Sequence, residues 1–212
     1  MTYDEIETAA AFHGLMIMGA SARRDGNGTR ILLGAGHGFW PIFQSAPEFS
    51  DGAADPLDRW SRRVIDAIAH AHGGSAVYPS DGPPYAPFID WAMQTGRFWQ
   101  SPVGMMVHDT VGLMISIRGA LHLSSDVALP GNPGPAPCAS CPEQPCLQAC
   151  PVDALSRSKG YDVARCRLYL DTRDGADCMS NGCKARRACP VSERFGRPAE
   201  QSAFHMRAFH PQ

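Results

Sequence analysis

All eight cysteines of this 212-residue sequence lie between Cys138 and Cys189. Their spacing is Cys138-x2-Cys141-x4-Cys146-x3-Cys150-Pro151, followed by Cys166 and then Cys178-x4-Cys183-x5-Cys189-Pro190. The chain is 44% hydrophobic and long enough to bury a core of its own, so it does not need a disulfide framework. Clustered thiols in such a chain are more often metal ligands or redox centres. The chemistry expected of this region is therefore metal binding or electron transfer.

Both cysteine groups end in Cys-Pro, and this ending resembles the pattern of two-cluster bacterial ferredoxins. In those proteins three closely spaced cysteines hold one cluster, and the cysteine before proline binds the other cluster. The resemblance implies one [4Fe-4S] cluster on Cys138, Cys141, Cys146 and Cys189. It implies a second on Cys150, Cys166, Cys178 and Cys183.

The cysteine spacing departs from the ferredoxin pattern in both groups, and the second group is spread out still more than the first. Four residues separate Cys141 from Cys146, where the usual motif has two. Two alternatives therefore stay open. One is a single [4Fe-4S] cluster in place of two, and the other is zinc, which also binds four thiolates.

Longer segments around the cysteines resemble a known group of enzymes. The stretch "CLQACPVDAL" is similar to the ferredoxin-type signature, and "YDVARCRLYL" with "GCKARRACPV" resembles the second-cluster region of epoxyqueuosine reductases and reductive dehalogenases. Those enzymes join a nitroreductase-like, cobalamin-binding domain to a two-cluster ferredoxin module. The resemblance implies an iron–sulfur oxidoreductase, with cobalamin as a further cofactor.

A second resemblance does not involve the cysteines. The stretch "VGMMVHDTVGLMISIRGALHLSSDVALP" is similar to a segment of the cobalamin-processing (decyanase/dealkylase) protein, which has a His-Pro-x-Phe-Gly…Ile-Arg-Gly pattern. The matching residues are His108, Gly112, Ile117, Arg118 and Gly119, whereas Asp109 and Val111 replace the proline and phenylalanine. This likeness implies that His108, Arg118 and Gly119 bind a corrinoid or a similar flat cofactor.

The elements that must position these residues are predicted from capping and periodicity. Thr2 and Glu5 form a capping-box pattern that starts a helix reaching to His13, and Asp55-Pro56 starts a longer helix ending near His72. In the longer helix, apolar residues recur at three- and four-residue steps and predict one buried face. This face consists of Leu57, Trp60, Val64, Ile68 and Ala71. "GLMIMGA", "RILLGA" and "SAVYP" predict strands, and "FIDWAMQTG" predicts a brief helix. The two apolar runs around "HDT" predict a hairpin or adjacent strands of one sheet.

Helices interspersed with strands predict an α/β (α+β) fold, which the resemblances refine to a nitroreductase-like mixed sheet plus a small C-terminal ferredoxin-like iron–sulfur module. The predicted division of the chain is a nitroreductase-like domain over 1–129, a Pro/Gly linker over 130–137, an iron–sulfur module over 138–195 and a C-terminal tail over 196–212. The possible flat-cofactor site belongs to the first of these.

Composition limits the partners and the location of the protein. The sequence has no apolar run of membrane-spanning length and begins with acidic residues, unlike a secretory signal, so we expect a cytoplasmic protein without a membrane partner. A net charge of −2 gives no overall attraction for nucleic acid. The expected partners are an electron donor protein or a small reductant, together with a corrinoid ligand.

The leading hypothesis is a [4Fe-4S] redox protein that passes electrons from its clusters to a bound corrinoid or similar substrate. One alternative is a simple ferredoxin-like electron carrier. Another is a zinc-stapled module that contacts RNA through Lys184, Arg186 and Arg187.

Overall fold

The structure, a computed structural model, describes residues 2–23, 26, 28–131 and 134–211. Two compact units are present. The first unit contains the chain up to Arg97 and resumes at Ser116, continuing to the Pro/Gly segment. The second unit contains Phe98–Ile115 and the chain from Gly134 onward.

The first unit consists of an antiparallel sheet with helices. Its helices are α1 (Tyr3–Phe12), α2 (Phe39–Gln44), α3 (Pro47–Ser50), α4 (Pro56–Ala71) and α5 (Phe88–Gln94). Its strands are β1 (Leu15–Ala22), β2 (Thr29–Ala35), β3 (Gly74–Val77) and β6 (Ile117–Leu123), in the order β1-β2-β6-β3. Every neighbouring pair in this sheet is antiparallel. Strand β2 is buried along its whole length, and it lies between β1 and β6 in the sheet.

Several sequence predictions for this unit are confirmed. Helix α1 begins with the Thr2 and Glu5 capping box, in which each residue's side chain accepts from the other's backbone N–H. Helix α4 has Pro56 at its first position and buries its predicted apolar face. Ala71 is the exception, since it is the last residue of that helix and is exposed.

The second unit is built from short strands and short helices. Its strands are β4 (Phe98–Gln100), β5 (Met106–His108), β7 (Leu155–Ser156) and β8 (Gly160–Tyr161), which form two separate two-stranded sheets. Its helices are α6 (Val163–Leu170), α7 (Ala176–Asn181), α8 (Lys184–Arg187), α9 (Pro190–Phe195) and α10 (Ala199–Phe209). Single 3₁₀ turns occupy Pro137–Ser140, Pro145–Leu147 and Arg173–Gly175.

One prediction about strand pairing was wrong. The two apolar runs around "HDT" form neither a hairpin nor adjacent strands, because β5 pairs with β4 and β6 pairs with β2 and β3. His108 and Gly112 close a tight turn through two backbone hydrogen bonds of 2.9 and 3.0 Å. The chain then joins the other unit at Ser116.

The observed units divide the chain differently from the predicted domains. Phe98–Ile115 falls in the second unit, although it lies inside the predicted 1–129 domain, and α10 occupies the predicted tail. Of the predicted segments, residues 1, 24, 25 and 27 of the first domain, 132 and 133 of the linker, and 212 of the tail lie outside the described residues. The mixture of helices and antiparallel sheets makes the fold α+β. Across the described part of the chain, no helix combines the length and apolarity required to cross a bilayer.

Candidate metal centres

The first three cysteines lie on or at the end of short turns that proline residues begin. Pro137 and Pro145 each take the first or second position of a 3₁₀ turn, where a missing N–H leaves no hydrogen bond unmade. Cys138 and Cys146 follow them directly, and Cys141 ends the first turn. Because these turns are only a few residues long, the chain changes direction between the cysteines.

Cys138, Cys141, Cys146 and Cys189 form a first set of neighbouring thiols, defined by their mutual electrostatic effects. Burial raises the pKa of Cys138, and the charges of Cys189 and Cys141 raise it further. Burial likewise raises the pKa of Cys146, and the other three thiols of this set add to that effect. These are the four cysteines that the ferredoxin pattern assigns to one cluster, and their binding of iron stays a prediction.

The surroundings of the first set are apolar. Cys146 and Cys189 are buried in a hydrophobic cluster with Val103, Val107 and Leu113. The partly buried residues packed against this cluster are Trp99, Met105, Cys138, Leu155 and Val191. Three of the four thiols are thus held in surroundings that keep water away.

Cys150, Cys166, Cys178 and Cys183 form a second set. Burial raises the pKa of Cys166, hydrogen bonding from Tyr161 lowers it, and the charges of Cys183 and Cys150 raise it again. Burial raises the pKa of Cys178, hydrogen bonding by the backbone of Lys184 lowers it, and Cys183 raises it. Cys183 is therefore a neighbour of both Cys166 and Cys178.

A backbone turn holds Cys150 in the second set. Asp153 donates its N–H to the Cys150 carbonyl at 3.3 Å, and Ala154 donates its N–H to the Cys150 Sγ at 3.3 Å. Asp153 has a φ of 49°, in the left-handed region that aspartate tolerates better than most residues. This conformation turns the Ala154 N–H toward the sulfur.

Cys178 lies on α7 and Cys183 is the N-cap of α8, and Asp177 ties these two helices together. Its carboxylate accepts from Arg187 and from Asn181 Nδ2, the latter at 2.8 Å, and lies 3.6 Å from Lys184 Nζ. These contacts hold the pKa of Asp177 below its usual value, with the Asn181 hydrogen bond the largest cause. The predicted RNA-contacting residues Lys184 and Arg187 are thus ion-paired within the unit.

The donor chemistry fits iron–sulfur clusters, since two sets of four thiols match two groups that each need four thiolates. The same donors also suit zinc. Zinc is not favoured by the arrangement, however, because over residues 2–23, 26, 28–131 and 134–211 no group of three or more His, Cys, Asp or Glu side chains is placed to hold a metal ion. Close thiolates repel one another, so each set would be stabilised by a cationic centre.

The structure places the predicted cofactor residue His108 in the core of the second unit. Its side chain is fully buried and packs edge-to-face on Phe98, with ring centroids 4.7 Å apart. Its Nδ1 accepts from the backbone N–H groups of Thr110 at 3.1 Å and Val111 at 3.3 Å. The ring therefore closes the "HDT" turn.

Arg118 and Gly119 lie on β6 in the first unit, so the structure divides the three predicted cofactor residues between the two units. Arg118 Nη1 is 3.3 Å from Asp58 Oδ1, and its Nε donates to the carbonyl of Ile117 at 3.0 Å. A Cβ added at Gly119 would lie 3.0 Å from the Ile65 side chain. The binding of a cofactor by these residues stays a prediction.

Sequence reasoning missed the groups that donate to the second set. Tyr161 lies on β8 immediately before Asp162, the N-cap of α6, and five residues before Cys166. Nothing in the sequence distinguishes a tyrosine that reaches a sulfur from one that faces solvent. The Asp153 turn had a weak signal in "CPVDAL", since aspartate is common where the backbone is left-handed.

No protein-family model and no curated protein matches this chain.

Proposed function

We propose that this chain is an iron–sulfur electron-transfer protein that holds two [4Fe-4S] clusters in its second unit. The observation that carries the proposal is the arrangement of eight thiols in two sets of four within one compact unit. Cys138, Cys141, Cys146 and Cys189 would hold one cluster, and Cys150, Cys166, Cys178 and Cys183 the other.

A bound [4Fe-4S] cluster supplies reversible one-electron redox chemistry at a potential that its protein surroundings tune. The chain contributes the thiolates and determines the polarity around them. Val103, Val107 and Leu113 limit water near the first set, and the Ala154 N–H donates to a sulfur of the second.

The identity of the electron acceptor separates two versions of the proposal. The resemblance to cobalamin-processing proteins favours a corrinoid near His108, Arg118 and Gly119. However, His108 is fully buried among protein groups and Arg118 pairs with Asp58. These observations favour the simple electron carrier, which exchanges electrons with a donor protein or a small reductant and binds no corrinoid.

Metal and sulfide analysis tests the core of the proposal. We expect full-length protein, reconstituted anaerobically, to contain about eight iron and eight sulfide per chain, together with broad visible absorption. Cys138→Ser and Cys166→Ser should each remove about half of the iron, because each affects one set only. Ser140→Ala, beside the first set, is the control and should leave the content unchanged. Zinc without sulfide would exclude the proposal and favour a zinc-stapled module.

A cobalamin titration of the reconstituted protein distinguishes the two acceptors. If the protein is a simple electron carrier, the cobalamin spectrum should stay unchanged when reduced protein is added in the absence of other reductants. A saturable spectral change that Arg118→Met abolishes would instead support corrinoid reduction. His70→Ala, on an exposed position at the end of α4, is the control for nonspecific effects.

A further inference from the structure

We infer that the second unit docks an acidic one-electron carrier protein on the surface around Cys166. This surface, named the α6 surface, combines exposed residues of α6, of β8 and of the turn before β8. Its members are Arg157, Lys159, Tyr161, Val163, Arg165, Arg167 and Leu168. The inference rests on the proposed function and names the partner that would exchange electrons with the second cluster.

The α6 surface has an exposed apolar centre. Leu168 is 70% exposed, Tyr161 is 44% exposed and Val163 is 37% exposed. In the part of the second unit that the structure describes, these are three of the four exposed large apolar side chains, and the fourth is Leu147. Leu168 lies on α6 two residues after Cys166. Exposed apolar side chains that are grouped in this way are typical of protein contact sites.

Backbone contacts hold the hairpin of β7 and β8 next to α6. The two strands pair through Leu155 and Tyr161. The Asp162 N–H donates to the Ala154 carbonyl at 2.8 Å, and the Asp162 side chain accepts from the Arg165 N–H at 2.9 Å as the N-cap of α6. The hairpin and the first turn of α6 therefore form one connected part of the surface.

Basic side chains surround the apolar centre. Residues 155–170 contain four cationic residues and one acidic residue, Asp162, which lies 3.6 Å from a guanidinium nitrogen of the segment. The four cationic residues are all exposed, and they are Arg157, Lys159, Arg165 and Arg167. The acids next to the segment are Asp153 and Asp171, and the latter is paired with His210 at 2.7 Å. The α6 surface is therefore cationic, although the net charge of the whole chain is −2.

Two of these cations are held in place by backbone carbonyls. Arg165 donates to the Val152 carbonyl at 3.3 Å, and Arg167 donates to the Phe209 carbonyl at 3.0 Å. The Arg167 guanidinium also lies 5.2 Å from the centre of the Phe209 ring. The charges are thus oriented before a partner arrives, which reduces the entropy lost on binding.

An apolar centre with a cationic rim fits an acidic electron carrier. Redox encounters are weak and bury less than about 1,200 Å², so a few apolar contacts and a charged rim are sufficient. Opposite charge steers the carrier to the rim. One electron then leaves the reduced carrier, which is oxidised, and reduces the second cluster. No bond forms or breaks in this step, and no proton is required.

Stopped-flow mixing tests the inference on reconstituted, oxidised full-length protein. The probe is an acidic plant-type [2Fe–2S] ferredoxin in its reduced form. We expect the second-order rate constant to fall about tenfold between about 20 mM and about 500 mM salt. Arg157→Glu should lower the rate constant about tenfold at low salt and have little effect at high salt, because salt screens surface charges. Arg194→Glu makes the same charge change on an exposed position of α9 and should change the rate constant less than about twofold.

Equilibrium binding of the oxidised ferredoxin measures the apolar contribution without electron transfer. Leu168→Ala should raise the dissociation constant about fivefold at every salt concentration, because an apolar contact is not screened by salt. Leu129→Ala makes the same change on an exposed residue of the first unit and should leave the dissociation constant unchanged.

The outcomes separate the docking surface from the proposed function. Equal effects of Arg157→Glu and Arg194→Glu, or an unchanged dissociation constant for Leu168→Ala, would overturn the docking surface while iron and sulfide remain at full content. Binding of a short RNA hairpin that Arg157→Glu abolishes, without any binding of the ferredoxin, would overturn it in favour of nucleic acid. Protein without iron and sulfide would overturn the proposed function, and the inference with it.

Discussion

Two side chains, Arg118 and His108, show how much of a residue's surroundings can be predicted from the sequence. Arg118 interrupts the apolar run "GLMISIRGAL", and an arginine in such a run needs a partner. The need could be predicted from the sequence, but the partner could not, since Asp58 lies on a helix sixty residues earlier. For His108 the sequence suggests the wrong surroundings, because a histidine in a turn is usually exposed to solvent. In the structure its ring packs against Phe98.

The Glu48–Arg63 pair gives a pH-dependent prediction at this scale. Arg63 donates to both Glu48 carboxylate oxygens, at 2.5 and 2.9 Å, and this hydrogen bonding lowers the pKa of Glu48 below its ordinary value of 4.5. A lowered folded-state pKa contributes stability that is present above pH 4.5 and is lost as the pH falls through the folded pKa. We expect Glu48→Gln to cost about 1 kcal/mol near neutral pH, a modest value because Arg63 is half exposed.

Tryptophan-monitored denaturation of the full-length protein measures this effect. The stability difference between the wild type and Glu48→Gln should shrink when the pH is lowered from neutral to below 4.5. Asp90→Asn, which removes an exposed carboxylate from α5, should show no comparable pH dependence. A difference that stays constant across this range would mean that packing, and not ionisation, is what Glu48 contributes.

At the scale of elements, local signals predicted the helices better than the strand pairings. A capping box and a proline at the first position act within one turn, so α1 and α4 were predictable from neighbouring residues. Pairing of β5 with β4 depends on contacts that periodicity does not encode. Both apolar runs around "HDT" fit a buried strand, and only the fold assigns them to different sheets.

The junction between α7 and α8 gives a prediction for the second set. Gly182 has a φ of 87° and lies between Cys178 and Cys183, and a Cβ there would lie 2.8 Å from the Cβ of Ser202 on α10. We expect Gly182→Ala to destabilise the second unit by about 2 kcal/mol or more, from backbone strain and overpacking together. Iron bound by the second set should fall as well, because both neighbouring ligand candidates would shift.

Gly196→Ala is the matched control for this substitution. Gly196 also has a positive φ, 63°, but the nearest heavy atoms to an added Cβ are 3.9 Å away. It therefore reports backbone strain of about 1 kcal/mol without the collision. Denaturation curves and iron content should separate the two variants, and equal losses in both would show that contact with Ser202 has no role.

For the whole molecule, only part of the division into two units is visible in the sequence. The change in composition near residue 130 marks where the cysteine-bearing chain begins, and the second unit resumes at Gly134. The contribution of Phe98–Ile115 to that unit was not predictable, because these residues are as apolar as the sheet strands before and after them. This segment contains Val103, Val107 and Leu113, which surround the first set of thiols.

The two units should respond differently to removal of metal. The first unit has a four-stranded sheet and a 16-residue helix to stabilise it. The second has two-stranded sheets, and its longest helix has 11 residues, so the clusters proposed above would supply a larger share of its folding energy. We expect anaerobic chelation of iron to increase hydrogen exchange across 98–115 and 134–211 while protection of β1, β2 and β6 persists.

Adding iron, sulfide and thiol reductant should restore the lost protection. If exchange in the second unit were unchanged after complete loss of iron, the packed side chains alone would account for its stability. The second unit would then fold without bound metal.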